Sequence, residues 1–224
     1  MKLGVLFSGG KDSYLALQYS SKSHEISCLL TLSSENNDSW MFHTPTIEWT
    51  KLQAKSMGFA HIVQKTKGIK EEELVDLKEV IQHSKEKYGI EGIVTGALAS
   101  VYQAIRIQTV CNDLNLWCFN PLWQLPQKTL LRELLSNNIE SIITGVAAEP
   151  FDDSWLGRLI DSECISDLSK LQKSYRINPA GEGGEYESFV INAPLFRNPI
   201  KISKSESHYS NFSGRFEIKE AYLG

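Results

Sequence analysis

An apolar run of strand length near the N-terminus stops at a Ser-Gly-Gly turn, and helix-forming residues follow at once. The segment reads LGVLFSGGKDS from Leu3 to Ser13, which predicts a strand, a tight loop and a helix. Adjacent glycines let backbone N–H groups converge on an anion, and the helix dipole is positive at the same point. We expect Lys11 to add an exposed, mobile charge. The predicted phosphate-binding residues are Ser8, Gly9, Gly10, Lys11, Asp12 and Ser13.

This loop is not a Walker A motif, which needs four residues between its glycines and a Ser or Thr directly after its Lys. Here Gly9 and Gly10 are adjacent, and Asp12 follows Lys11. Chemistry at a γ-phosphate, of kinase or GTPase type, is therefore not indicated. The plainer alternative is an ordinary turn, with Asp12 as a favourable charge at a helix N-terminus.

Composition bounds the remaining possibilities. A chain of 224 residues with 42% hydrophobic content can bury one large core or a main domain with a small appendage. The net charge of -4 argues against a general nucleic-acid-binding surface. Four scattered cysteines and five histidines without ligand spacing predict no disulfide framework and no structural metal. We find neither a signal-peptide pattern nor a long apolar run, so we expect a cytoplasmic protein without membrane contact.

Strand and helix patterns alternate along most of the chain. Predicted strands at residues 3–7, 26–32, 61–66, 93–96, 116–119 and 141–146 are separated by helical segments, which is typical of a doubly wound, mainly parallel α/β sheet. Ligands bind such sheets beyond the carboxyl ends of the strands, here at residues 8–10, 96–100 and 145–149. Short alternating segments after a helix at 161–175 predict a small C-terminal α+β appendage. We therefore divide the chain into a nucleotide-binding domain, 1–160, and a smaller substrate-binding subdomain, 161–224.

Residues 8–13 resemble the pyrophosphate loop of the N-type ATP pyrophosphatases, whose fold is adenine nucleotide hydrolase-like. Further segments resemble one branch of that superfamily, the diphthine-ammonia ligase (diphthamide synthetase) family. They are WMFHTP at 40–45, Gly96 with Ser100 to Arg106, PLW at 121–123, VAAE at 146–149 with SWLGR at 154–158, and GEGGEYE at 181–187. The resemblance runs in order from the N-terminus to about residue 190.

The resemblance implies an activity and partners. Members of this family amidate diphthine, a modified histidine of translation elongation factor 2, with ATP and ammonium, through an acyl adenylate, and release AMP and pyrophosphate. Lys11 would stabilise the departing pyrophosphate, and Asp12 would hold Mg²⁺. Gly96 and Ala97 would admit adenine or ribose. The expected catalytic carboxylates are Glu182, Glu185 and Glu187, and the expected substrate contacts are His43, Ser100, Tyr102, Gln103, Arg106, Trp123 and Glu149.

Other interpretations stay open at this point. The glutamates could form a solvated loop, Arg106 an exposed helix residue, and Trp123 part of the core. Another adenylating pyrophosphatase, acting in tRNA thiolation or amidation, is an alternative, as is an ATP-binding sensor without catalysis. A glutaminase would need a nucleophilic cysteine near the N-terminus, where Lys2 stands. The C-terminal strands could pair in a homodimer, and residues 33–42 could form a lid.

Overall fold

The computed structural model of this protein describes residues 1–34, 46–69 and 72–224. The strands and helices, in chain order, are β1 (Lys2–Leu6), α1 (Lys11–Ser21), β2 (Glu25–Ser34), α2 (Thr50–Met57), β3 (Ala60–Thr66), α3 (Glu73–Tyr88), β4 (Gly92–Val94), α4 (Val101–Asp113), β5 (Trp117–Phe119), α5 (Gln127–Ser136), β6 (Glu140–Ala147), α6 (Ser162–Tyr175), β7 (Tyr186–Asn192), β8 (Ile200–Ser210) and β9 (Ser213–Leu223). A 3-10 helix, Ile47–Trp49, precedes α2.

The first sheet has five parallel strands in the order β3-β2-β1-β4-β5. After β1 the chain adds strands on one side as far as β3, then crosses to the other side of β1 with β4. The strand order therefore reverses between β1 and β4, and ligands bind doubly wound sheets at that crevice. The predicted α/β sheet is confirmed. The place where its strand order reverses, between β1 and β4, is called the switch point below, and it lies beside the glycine loop.

Both faces of this sheet are covered. On one face Leu3 and Val5 pack with Tyr14 and Leu17 of α1. On the other face, Leu30 and Ile93 pack with α3 and α4. Strands buried on both faces read as continuous apolar runs, because no side of the strand meets water. This is why the sequence pattern located them.

The second sheet has four strands in the order β7-β6-β9-β8, and all of its pairings are antiparallel. The prediction that residues 141–146 form a sixth strand of the main sheet is therefore wrong. β6 is central in the second sheet and buried along almost its whole length. A strand buried on both faces has the same apolar pattern in either kind of sheet, so its partners cannot be read from its own residues.

Three predicted boundaries bear on the site. The change from the first sheet to the second falls between β5 and β6, whereas the domain division at residue 160 stays a prediction. The predicted helix at 70–88 is described from Glu73 onwards. Most of the segment interpreted as a lid lies outside the described residues. Within the described part of the chain, no helix is long and apolar enough to cross a membrane.

Candidate active site at the switch point

The loop between β1 and α1 depends on its two glycines. Gly9 has a φ of +81°, a conformation that other residues rarely adopt. A Cβ atom at Gly9 would lie 2.5 Å from Gln53 Oε1, and one at Gly10 would lie 3.1 Å from the backbone oxygen of Ser188. The loop is therefore closely packed on its inner side. Larger residues at either position would push it outward.

Two serines brace the loop from the start of α1. Ser13 Oγ donates to the Gly10 carbonyl oxygen at 3.0 Å, and it lies 3.2 Å from Ser8 Oγ. The Ser8 backbone N–H also donates to Ser13 Oγ, at 3.3 Å. The structure thus brings the predicted phosphate-binding residues together at a helix N-terminus, which suits an anion.

The expectation that Lys11 is exposed and mobile is wrong. Lys11 is 3% exposed, its Nζ donates to Asp12 Oδ2 at 2.9 Å, and the ammonium lies 5.1 Å from the centroid of the Tyr186 ring. Burial acts to lower the pKa of Lys11, but Asp12, with smaller contributions from Tyr186 and Glu187, outweighs this effect and holds the pKa above its ordinary value. The lysine is therefore charged and held in place. A sequence pattern could not show this, because the covering residues belong to β7.

β7 lies along the inner side of the loop. The backbone N–H of Lys11 donates to Ser188 Oγ at 3.2 Å, and the Val190 N–H donates to the Gly9 carbonyl at 3.0 Å. Tyr186 is buried, and its hydroxyl donates to the Pro179 carbonyl at 2.9 Å. The glutamate segment therefore reaches the phosphate loop through the strand that follows it. Sequence reasoning missed Tyr186 and Ser188, although both lie within or beside the GEGGEYE segment.

The three predicted glutamates have different surroundings. Glu185 accepts hydrogen bonds from the backbone N–H groups of Asn178, at 2.7 Å, and Gly183, at 2.8 Å. Both of its carboxylate oxygens therefore hold the turn that precedes β7. This is a structural task that the sequence did not predict.

Glu182 and Glu187 lie in the electrostatic field of the loop. The pKa of the Glu187 carboxyl is raised to about 7, because burial raises it strongly, Lys11 lowers it in part, and Asp12 adds a smaller increase. Burial also raises the pKa of Glu182, as does Asp12, while Lys11 and a hydrogen bond from the Ala99 backbone lower it. Glu187 thus changes protonation near neutral pH, under the electrostatic influence of the Lys11 and Asp12 charges.

The segment after β4 supports the loop from the other side of the switch point. A Cβ atom at Gly96 would lie 2.8 Å from the Ser13 backbone nitrogen and 2.9 Å from the Asp12 carbonyl carbon. The missing side chain at Gly96 therefore makes room for α1. Ala97 is buried, and its N–H donates to Thr95 Oγ1 at 3.1 Å.

The predicted substrate contacts on α4 begin with its cap. Ser100 is the N-cap, and its Oγ accepts from the Gln103 N–H at 3.3 Å, as expected for a serine at this position. The Arg106 guanidinium carbon lies 3.6 Å from the centroid of the Tyr102 ring, a cation–π arrangement. Tyr102, Gln103 and Arg106 are all half-buried. A role for these residues in binding substrate stays a prediction.

The remaining predicted contacts are scattered. Trp123, 36% exposed, lies in the turn after β5, so the interpretation as a core residue is wrong. Glu149 is exposed and follows β6, so it does not lie at the edge of the parallel sheet. Two residues before it, the Ala147 N–H donates to the Glu185 carbonyl oxygen at 2.9 Å. His43 lies outside the described residues. Their contacts with substrate stay predictions.

Asp12 has the character of a ligand for a hard cation. Its Oδ1 is buried and has no hydrogen-bond partner, whereas Oδ2 bonds Lys11. A buried carboxylate oxygen without a donor is costly unless it binds something. The residues present therefore fit the predicted magnesium site.

A second cluster of side chains that could bind a metal ion lies on the β8–β9 hairpin. Ligand atoms of Glu206, His208 and Glu217 all lie within 4.8 Å of one another, because the strand register brings together residues that are distant in sequence. Lys219 Nζ lies 2.6 Å from Glu217 and 3.4 Å from Glu206. The two carboxylates therefore already share the Lys219 ammonium, and Glu206 and His208 are exposed.

Two family models match this chain, one over most of the first sheet and one over the second sheet. Residues 1–117 match the family model described as "Diphthamide synthase N-terminal domain", and residues 126–223 match "Diphthamide synthase C-terminal domain". A solved structure from Methanocaldococcus jannaschii, described as a predicted subunit of tRNA methyltransferase, has a TM-score of 0.47 and 20% identity, covering 87% of this chain and 98% of that chain.

Curated relatives match at higher identity. A protein of Homo sapiens named "Diphthine--ammonia ligase" is 37% identical, over 92% of this chain and 84% of its own length. The protein of the same name from Rattus norvegicus is 36% identical, over 92% and 85% of the two chains. With family models covering nearly all of its residues, the chain belongs to the diphthamide synthase family.

Proposed function

We propose that this chain is an ATP-dependent ligase that converts the carboxylate of diphthine to the amide, diphthamide, with ammonium as the nitrogen donor. The names of the curated relatives and the two family models support this substrate and this product. The diphthine is carried by translation elongation factor 2, which is therefore the proposed protein partner. The proposed place of action is the cytoplasm.

The observation that most supports this activity is the electrostatic coupling of Glu187 to Lys11 and Asp12, whose charges both act on its pKa. An anion-binding loop alone suits any nucleotide-binding protein, including an ATP sensor. A carboxyl group that titrates near pH 7 beside that loop suits proton transfer. This favours catalysis over sensing, and family membership favours diphthine over tRNA as the acceptor.

The first half-reaction makes a leaving group on the acid. A carboxylate oxygen of diphthine attacks the α-phosphorus of ATP, the bond to the β-phosphate oxygen breaks, and pyrophosphate departs. Ser8, Ser13 and the loop N–H groups would hold the phosphates, and Lys11 would offset the charge of the leaving group. Fixed positive groups of this kind act without reorganising when the charge develops.

Magnesium is proposed at Asp12, through the carboxylate oxygen that has no hydrogen-bond partner. The ion would supply charge neutralisation for the phosphates. The adenine and ribose are proposed between the glycine loop and residues 96 and 97, across the switch point.

The second half-reaction replaces AMP with nitrogen. Ammonium must lose a proton before its lone pair can attack the acyl carbonyl, after which a second proton is lost and AMP leaves. We assign the first proton transfer to Glu187. Glu185 is bonded to its own turn through both oxygens, so its proposed contribution is to hold the segment. Glu182, beside Asp12 and Ala99, is proposed to position the reactants.

The remaining substrate contacts are proposals of the same kind. Ser100, Tyr102, Gln103, Arg106, Trp123, Glu149 and His43 are proposed to contact the diphthine-bearing substrate. A homodimer through the C-terminal strands is also a proposal; β8 is the edge strand that would pair.

The deciding experiment incubates the protein with ATP, ammonium and elongation factor 2 that carries diphthine. Mass spectrometry of the factor would show the change from acid to amide, and AMP and pyrophosphate should appear in equal amounts with it. A factor that carries the unmodified histidine is the control. Formation of ADP, or amide formation without ATP, would contradict the proposal.

A further inference from the structure

Gln53 connects the two halves of the site. Its Nε2 donates to the Gly9 carbonyl oxygen at 2.9 Å and to the Val190 carbonyl oxygen at 2.8 Å. Gly9 belongs to the phosphate loop, and Val190 lies on β7, three residues after Glu187. Gln53 lies on α2 and is fully buried. One amide group therefore joins the anion-binding loop to the strand that carries the proposed base.

The orientation of this amide is fixed by its partners. A flipped side chain would place Oε1 against two carbonyl oxygens, so the NH₂ group must face them. The consequence is that Oε1 is buried without a hydrogen-bond partner. An unsatisfied buried oxygen lowers stability, whereas the two bonds from Nε2 each satisfy a backbone carbonyl, one on the loop and one on β7. The arrangement therefore suits a positioning role.

The bonds to the Gly9 carbonyl set the direction of the loop. The Gly9 oxygen accepts from both Gln53 Nε2 and the Val190 N–H, so it points into the protein. In a planar trans peptide the following N–H points the opposite way. The Gly10 N–H is thereby turned outward, where its contact is a long one of 3.5 Å to Ser8 Oγ. An outward N–H at this place is what a phosphate oxygen needs.

We propose that Gln53 is a positioning residue for the nucleotide: it holds the Gly9–Gly10 peptide in its anion-binding orientation and sets the spacing between the loop and Glu187. Ser188 acts in the same way on the next peptide, by accepting from the Lys11 N–H. This inference rests on the proposed function, because it assumes that the loop binds nucleotide phosphates.

The test compares two buried polar residues of the same helix. Gln53→Met keeps the side-chain length and removes the donors. Ser56→Ala is the matched control: Ser56 is 1% exposed and bonds the backbone of Asn198, at 2.5 Å and 3.3 Å, away from the loop. The probe is magnesium with α,β-methylene-ATP, which cannot be cleaved between the α- and β-phosphates. Calorimetry gives Kd, and glycine-selective ¹⁵N labelling reports the Gly10 amide.

We expect Gln53→Met to weaken binding about tenfold or more, as loss of paired hydrogen bonds implies, and to move the Gly10 amide resonance. Ser56→Ala should bind within about twofold of the native protein, even where its Tm falls equally. If Gln53→Met does not fold, Ser188→Ala takes its place under the same criteria.

Two results would overturn the inference. One is a folded Gln53→Met, or its Ser188→Ala replacement, that binds the analogue like the native protein. The other is an equal loss in Ser56→Ala, which would mean that general destabilisation is the cause. Native protein that neither binds the analogue nor forms the amide overturns the proposed function as well. If the native protein binds the analogue and forms the amide, and Gln53→Met or its Ser188→Ala replacement binds the analogue equally well, only the positioning role is refuted.

Discussion

Lys11 and Asp12, neighbours in the first turn of α1, form an ion pair of 2.9 Å within the site. The lysine side chain is 4% exposed and the aspartate side chain 29%. Lys11 is proposed to bind pyrophosphate and Asp12 a cation, and in this structure the two side chains are paired with each other. A ligand that engages Asp12 through its second oxygen can do so without breaking the pair.

Replacement of the lysine should affect both activity and stability. In Lys11→Ala, Asp12 and Glu187 lose the cation beside them, which should cost about 1–3 kcal/mol in the free energy of unfolding. ATP–pyrophosphate exchange should fall by about 10²-fold or more, since a donor to the developing charge is removed. Denaturant unfolding and exchange assays measure the two effects.

The control for this variant is Lys78→Ala. Lys78 pairs with Asp113, but both side chains are about half exposed, so the change should stay within about 0.5 kcal/mol and leave exchange unchanged. Near-native exchange in folded Lys11→Ala would contradict the assigned role.

The glutamates separate the two half-reactions. Glu187→Gln should leave ATP–pyrophosphate exchange measurable and slow amide formation by about 10²–10⁴-fold, the usual contribution of a positioned base. Glu185→Gln should instead loosen the turn before β7. The two carboxylate oxygens each accept one backbone hydrogen bond, whereas an amide has one acceptor oxygen, so one of the two bonds is lost. Its effect should appear in both half-reactions and in Tm. Equal loss of both half-reactions in Glu187→Gln would point to a role in metal or ATP binding.

The rate of amide formation should depend on pH through Glu187. The base must be deprotonated, and burial raises its pKa to about 7, so the rate from a preformed acyl adenylate should rise through pH 7 and then level off. The inflection should be absent in Glu187→Gln. A rate–pH profile with the same inflection in the variant would assign it to another group.

Stability should move in the opposite direction with pH. Because the folded-state pKa of Glu187 is raised from 4.5 to about 7, its favourable contribution is complete below the unfolded pKa and is lost as pH rises through the folded value. The stability of Glu187→Gln relative to the native protein should therefore increase as the pH rises from about 5 to about 8, a window set by the two pKa values. Tm measured across this range checks the sign; a constant difference would refute it.

Gly96→Ala should displace α1. The new methyl group would lie 2.8 Å from a backbone nitrogen of that helix, and overpacking against backbone costs about 1–3 kcal/mol. Nucleotide affinity should fall with stability, because Asp12 and Ser13 move. Gly89→Asn is the control: the position has a φ of +64° with open space around it, and Asn tolerates that conformation. Native affinity in Gly96→Ala would show that the helix yields without moving the loop.

Short-range sequence patterns were enough to predict the first sheet and the loop after β1. Apolar runs and helix signals located every strand of the parallel sheet, and residues 8–13 predicted an anion site, because these features depend on short-range patterns. It also placed three glutamates in one segment. It did not determine the partners of β6, since a strand buried on both faces has no pattern that distinguishes a parallel from an antiparallel neighbour.

The assembly of the site depends on contacts between segments that are remote in the sequence. β7 covers Lys11, and Gln53 of α2 bonds Gly9, which is 44 positions away in the sequence. The turn before β7 takes up Glu185, while the loop charges act on the pKa of Glu187. Burial and charge at each of these residues come from segments that are remote in sequence. The pKa of Glu187 and the burial of Lys11 therefore follow from packing, which no local pattern contains.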